Sequence, residues 1–174
     1  TVTATGTVSA STESLSGIDL KPSGSEIPDG SLTISVVLTD ASGNQGTAAD
    51  NSTLSTLILD TTAPSGYTIT NATLSGSPGS EVASFDIEGI TDQGIITHSV
   101  NGTYSVEIID SRSQTETTSG TVDSATVSVS NVSLASLRGA LTINVTVTDG
   151  AGNGGAVTSD TSLTLDSVPP TDDV

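Results

Sequence analysis

The chain has 174 residues, with 20 carboxylates against three cations, Lys21, Arg112 and Arg138, and a formal net charge of −17. Nucleic acid and anionic membrane surfaces are held by clustered Lys and Arg, so this balance excludes both as partners and favours divalent cations instead. The absence of Cys excludes disulfides, thiolate metal sites and a cysteine nucleophile, and no run of 18 apolar residues offers a membrane-spanning helix.

Aromatic residues are limited to Tyr67, Phe85 and Tyr104, so a core must be thin and built from Val, Ile, Leu and Ala. Ser and Thr supply 59 residues and Gly 18, a composition of strands and turns rather than helices. A thin core without disulfides calls for another staple, and bound metal is the natural one.

In chain order, the first clear strand is "GSLTISVVLTD" (30 to 40), where Leu32, Ile34, Val36 and Leu38 alternate onto one face. Further strands are predicted at 66 to 74, 81 to 88, 103 to 110, 119 to 132 and 155 to 165. Their inward residues are Ala83, Phe85 and Ile87, then Tyr104, Val106 and Ile108, then Val127 and Val129. Between the last two strands, "GALTINVTVTD" (139 to 149) buries Leu141, Ile143, Val145 and Val147 and turns Thr142, Asn144, Thr146 and Thr148 to solvent. Short alternating strands punctuated by turns, with no sustained helical period, predict an all-β, two-sheet sandwich.

The chain repeats itself. "GSLTISVVLTDASGN" (30 to 44) and "GALTINVTVTDGAGN" (139 to 153) share nine of fifteen positions at an offset of 109, without a gap. Upstream, "TATGTVSAS" (3 to 11) matches "TTSGTVDSA" (117 to 125), and downstream "LILDTTAP" matches "LTLDSVPP". The expected organisation is the C-terminal half of a domain over 1–62, a complete domain over 63–168, and the start of a linker at 169–174. The first unit has no counterpart of residues 64–113, which predicts an exposed apolar face and open strand edges.

In "TDASGN" and "TDGAGN" a strand ends at Asp and a hairpin turn follows; Asp caps the turn, while Gly and Asn suit the left-handed backbone. Asp60 and Asp166 close the final strand of each copy just before proline linkers, so carboxylates gather at domain ends. Calcium is held by six to eight oxygens from carboxylates, amides and main-chain carbonyls, which such loops supply. A hairpin and a chain exit lie at opposite poles of a sandwich, so the spacing alone does not bring Asp40 beside Asp60.

Asp40, Gly43, Asn44, Asp60, Thr61, Thr62, Ala63 and Pro64 form a "D-x-x-G-N … D-T-T-A-P" signature. It resembles that of the bacterial immunoglobulin-like repeats of giant secreted cell-surface adhesins. Asp149, Gly152, Asn153, Asp166 and Pro170 carry it in the second copy, where "DSVPP" departs from the pattern. The resemblance implies tandem immunoglobulin-like β-sandwich domains, the first incomplete at its N-terminus, and a long extracellular stalk often stiffened by calcium at domain junctions. Metal ligands are expected at Asp60, with Asp86, Glu88 or Asp92 from "FDIEGITDQG", and at Asp166 for the next junction. Asp40, Asn44, Asp149 and Asn153 are further candidates.

Other signals are weaker. Asn51, Asn71, Asn101, Asn131 and Asn144 open N-x-S/T triplets, an excess over chance too modest to predict glycosylation. His98 is the single imidazole and no nucleophile motif accompanies it; a solvent-facing position is expected. A glycosidase-type carboxylate pair would need an aromatic-lined groove that this composition cannot build. The leading reading is therefore a non-enzymatic extender of an extracellular adhesin at the cell surface, with calcium as cofactor and tandem copies of the same domain as partners. The alternative is a repeating subunit of a filament or surface layer assembled by inter-subunit β-strand complementation.

Overall fold

The computed structural model describes residues 1–21, 27–50, 57–92 and 102–165. Predicted features at His98, Asn51, Asn101 and Asp166 lie outside the described residues. The chain divides into two compact units, Thr1–Leu59 and Asp60–Val174. All regular structure among the described residues is β.

The second unit is a two-sheet sandwich. One sheet has the order β5-β6-β9, from Thr68–Ser75, Val82–Glu88 and Thr126–Ser133. The other has the order β11-β10-β7-β8, from Thr158–Asp160, Gly139–Thr148, Gly102–Asp110 and Thr115–Val122, with β12 (Thr164–Leu165) also on β10. All these pairings are antiparallel. This is the immunoglobulin-like division of strands between two sheets.

Alternation explains which faces meet. Ala83, Phe85 and Ile87 of β6, Val106 and Ile108 of β7, and Leu141, Ile143, Val145 and Val147 of β10 are all buried in one cluster with Tyr67, Val129 and Leu165. Tyr104 and Val127 pack against it, half-buried. The core reaches further than alternation predicted, because Leu134 and Leu137 are fully buried in a turn closed by a bond from the Leu137 N–H to the Leu134 carbonyl.

Three strand predictions need correction. The single strand expected over 30–40 is two short ones, Gly30–Leu32 and Ser35–Val36, which pair with different partners. The single strand expected over 119–132 is two, β8 and β9, because the chain leaves one sheet for the other at Asp123–Ala125. The strand expected over 155–165 is likewise broken into β11 and β12, and Ser162 there caps onto Asp160.

The crossing of β7 into its hairpin is fixed by a buried carboxylate that the sequence reading did not single out. Asp110, 5% exposed, accepts bonds from the Arg112 side chain and from the backbone N–H groups of Arg112, Gln114 and Arg138. Burial pushes its pKa up, but these donors, the Arg112 side chain foremost, outweigh it and hold the group at about 2.

The first unit contains β1 (Gly30–Leu32), β2 (Ser35–Val36), β3 (Ala49–Asp50) and β4 (Leu57–Leu59). Its ladders reproduce those of the second unit. Val36 faces Ala49 as Val145 faces Thr158, and Gly30 faces Leu59 as Gly139 faces Leu165.

The same substitution should therefore behave differently in the two copies. Ile143→Ala is expected to cost about 2–5 kcal/mol in urea unfolding, and Ile34→Ala, at a position 50% exposed, less than about 1 kcal/mol. For acid stability, the depressed pKa of Asp110 means its contribution is whole above about pH 4 and is lost as pH falls toward 2. Asp110→Asn should flatten the pH dependence of unfolding in that window, an outcome read by circular dichroism between pH 5 and 2.

Candidate metal centre

The candidate centre is built at the end of the second unit where the chain enters it. Asp60 opens the segment that leads into β5, and its carboxylate accepts the Thr62 N–H at 3.1 Å in an Asx turn. The segment is then tied down by a two-way bridge. The Ser65 N–H donates to the Thr91 carbonyl at 2.8 Å, and the Thr91 N–H and hydroxyl return bonds to the Ser65 carbonyl.

This bridge needs close backbone approach, which Gly66 and Gly89 permit. Both have positive φ, and a Cβ on either would stand 3.2–3.3 Å from the other's carbonyl oxygen. The consequence is that Asp92, next after Thr91, is delivered to the neighbourhood of Asp60.

The third carboxylate comes from the hairpin after β10. Asp149, 6% exposed, accepts the N–H groups of Ala151 and Asn153 on Oδ1 at 2.9 and 2.8 Å, and the Asn153 amide on Oδ2 at 2.8 Å. The same Asn153 amide nitrogen donates to the Asp60 main-chain carbonyl at 3.2 Å, joining the hairpin to the entering segment. Asn153 was expected to share the left-handed backbone with Gly152. Gly152 alone takes positive φ, and Asn153 instead spends its side chain on Asp149 and Asp60.

Carboxylate oxygens of Asp60, Asp92 and Asp149 lie within 4.8 Å of one another. At an effective dielectric of about 20, two such charges repel by on the order of 3 kcal/mol, less where water reaches them. The three cations have partners elsewhere: Lys21 pairs with Asp29, Arg112 with Asp110, and the Arg138 guanidinium donates to the Leu137 carbonyl. The donor set is all hard oxygen and carries high negative charge, which fits calcium and no soft metal.

Within the second unit, Asp86 and Glu88 are not members of this cluster. Asp86 is held by the Asn71 amide and the Ser128 hydroxyl, which lower its pKa, the Ser128 bond most. Glu88 ends β6, opposite Thr68 and Thr126. Asp40 and Asn44 in the first unit reproduce the Asp149–Asn153 turn bond for bond, with the Asn44 N–H and amide on Asp40 at 2.8 Å each. Those bonds, led by the Asn44 side chain, lower the Asp40 pKa.

Among known proteins, no family model and no curated protein matches the chain. Among solved structures, the chain is similar to one described as the crystal structure of a tetra-tandem repeat in the extending region of a large adhesion protein. The match has 24% identity and a TM-score of 0.46, and covers 88% of this chain and 35% of that one.

Asn153 is the link between hairpin and entering segment, so Asn153→Ala should destabilise the second unit by about 1–2 kcal/mol in urea unfolding. It should also speed amide exchange at Ser65 and Thr91. Asn44→Ala, at the matching turn, should leave the exchange of those two amides unchanged.

Proposed function

We propose that the chain supplies non-enzymatic extender modules of an extracellular bacterial adhesin stalk, stiffened by calcium. The observation that carries this reading is the convergence of Asp60, Asp92 and Asp149, drawn from three separate segments, at the end of the sandwich where the chain arrives. A bound cation supplies charge neutralisation there. The chain's own residues do the rest: the Ser65–Thr91 bridge and the Asn153 amide fix the positions of the three carboxylates.

With the repulsion relieved, the segment at Asp60 is held to the body of the domain rather than swinging on it. A stalk built from such modules resists bending in proportion to the number of linkers so restrained. Two features agree with this role: tandem repetition of the hairpin-and-linker signature, and a surface whose charge of −17 keeps a long, apolar-poor array soluble. The Asp166 position, equivalent to Asp60 in the repeat, would serve the next module in the same way.

Thermal unfolding with calcium and with a chelator tests the reading. At calcium near a hundredfold excess over Kd, binding to the folded state adds about 2.7 kcal/mol, so Tm should rise by roughly 10 °C and fall back on chelation. Asp92→Asn should abolish most of that rise. An unchanged Tm in saturating calcium would remove the metal from the account and leave a plain sandwich array.

A further inference from the structure

Among the described residues, the two sheets of the second unit end on β5, on β9, on the short strands β11 and β12, and on β8. All but the last are blunted. β5 is bulged between Thr70 and Thr73 and β9 opposite Ala83–Phe85, with Asn71 and Asn131 at positive φ in those places, while β11 and β12 have three and two residues. Bulges and short strands keep an edge from pairing further. β8 has neither device.

β8, "TETTSGTV" (115 to 122), pairs with β7 over all eight residues without a register shift and contains no Pro, Lys or Arg. At the hairpin the Asp110 N–H donates to the Gln114 carbonyl and the Ser113 N–H to the Asp110 carbonyl. Antiparallel alternation from that closed pair turns the backbone groups of Glu116, Thr118, Gly120 and Val122 toward β7. Those of Thr115, Thr117, Ser119 and Thr121 point past the sheet edge, and their side chains are exposed and uncharged. No other strand among the described residues takes these groups. A straight row of unpaired N–H and carbonyl groups is a template for another strand.

The side chains along this edge fit a second copy of the same strand. Turned about a two-fold axis at Thr118, two β8 strands oppose Thr117 to Ser119 and Thr115 to Thr121 in both directions, which makes about eight backbone hydrogen bonds and sets hydroxyl against hydroxyl. The one charge on the strand, Glu116, then falls opposite Gly120 of the other copy and not opposite a second carboxylate. A donor lies at that point. Tyr104 crosses Gly120 so closely that a Cβ there would sit 2.6 Å from the tyrosine hydroxyl, which has no partner among the described residues. Glu116 accepts the Ser136 hydroxyl on Oε1 at 2.6 Å, leaving Oε2 for the Tyr104 hydroxyl of the other copy.

We propose that β8 is an interaction edge that pairs antiparallel with β8 of a second copy of this chain, centred on Thr118, so that two sandwiches share one continuous sheet. Edge pairing of eight residues buries less than a tight dimer needs, so two chains associate weakly. The net charge of −17 opposes the pairing, and salt relieves that opposition. In this register the two Glu116 residues stand about 13 Å apart along the strands, beyond a Debye length at physiological ionic strength. The edge involves the second unit alone and no bound metal, so the pairing is independent of calcium.

Sedimentation equilibrium of the full chain in a chelator, from about 10 μM to about 1 mM, tests the pairing. A monomer–dimer equilibrium should appear, with Kd falling at least about threefold as salt rises from about 0.05 to about 0.5 M. Ser119→Pro removes an outward N–H that β7 does not use, and Thr117→Lys places a charge in the same row; each should weaken dimerisation at least about tenfold while urea unfolding is retained. Because the chain has no Cys, Thr118→Cys reports the register. Its oxidation by diamide should give a covalent dimer at least about tenfold faster than that of Thr121→Cys, whose two copies stand about 20 Å apart. A monomer throughout this range overturns the proposal and leaves the edge to a strand of a different protein. Dimerisation unaffected by both Ser119→Pro and Thr117→Lys, or equal cross-linking at 118 and 121, overturns it as well.

Discussion

The second unit depends on covering one row of aliphatic side chains, Leu141, Ile143, Val145 and Val147, which β10 presents to the interior. With three aromatic residues in the whole chain, there is no bulky reserve to compensate for an imperfect seal. Each of these residues contributes through burial at about 25 cal/mol per Å² of apolar surface, so the fold is stable only if both sheets close on the row together. Phe85 and Ile87 supply the opposing layer, and Tyr67 closes the end nearest the hairpin.

Closure at that end creates the carboxylate centre. Tyr67 reaches the core only if the entering segment lies across the hairpin, and that course places Asp60 beside Asp149. The Ser65–Thr91 bridge adds Asp92 by the same means. The packing that seals the core therefore brings like charges together, and the molecule accepts an electrostatic cost where a cation can remove it. Asp110 shows the contrasting solution within the same domain: a buried carboxylate whose charge is met by the chain's own Arg112 guanidinium.

Alternation made the strands and most of the core legible in the sequence, since a period of two translates directly into an inward face. Leu134 and Leu137 were not legible, because they are buried from a turn rather than a strand. The break between β8 and β9 was missed because the residues on either side continue to favour strand; only the change of sheet interrupts them. Asp60, Asp92 and Asp149 could each be named as candidates, but their convergence could not be read from spacing. Strand geometry separates a hairpin from the exit of its own domain, and the step not available locally was that the entrance lies at the hairpin's pole. Asp86 and Glu88 illustrate the limit from the other side: six and four residues before Asp92, they remain on β6 while the chain carries Asp92 beyond its end.

The central claim is that the three carboxylates are a cation site and not only a charged rim. The most direct measurement is a crystal structure grown in millimolar calcium, with anomalous scattering used to locate the ion. The account predicts an anomalous peak bounded by Asp60, Asp92 and Asp149, with oxygens at about 2.3–2.6 Å. Water alone between these carboxylates at saturating calcium would contradict it.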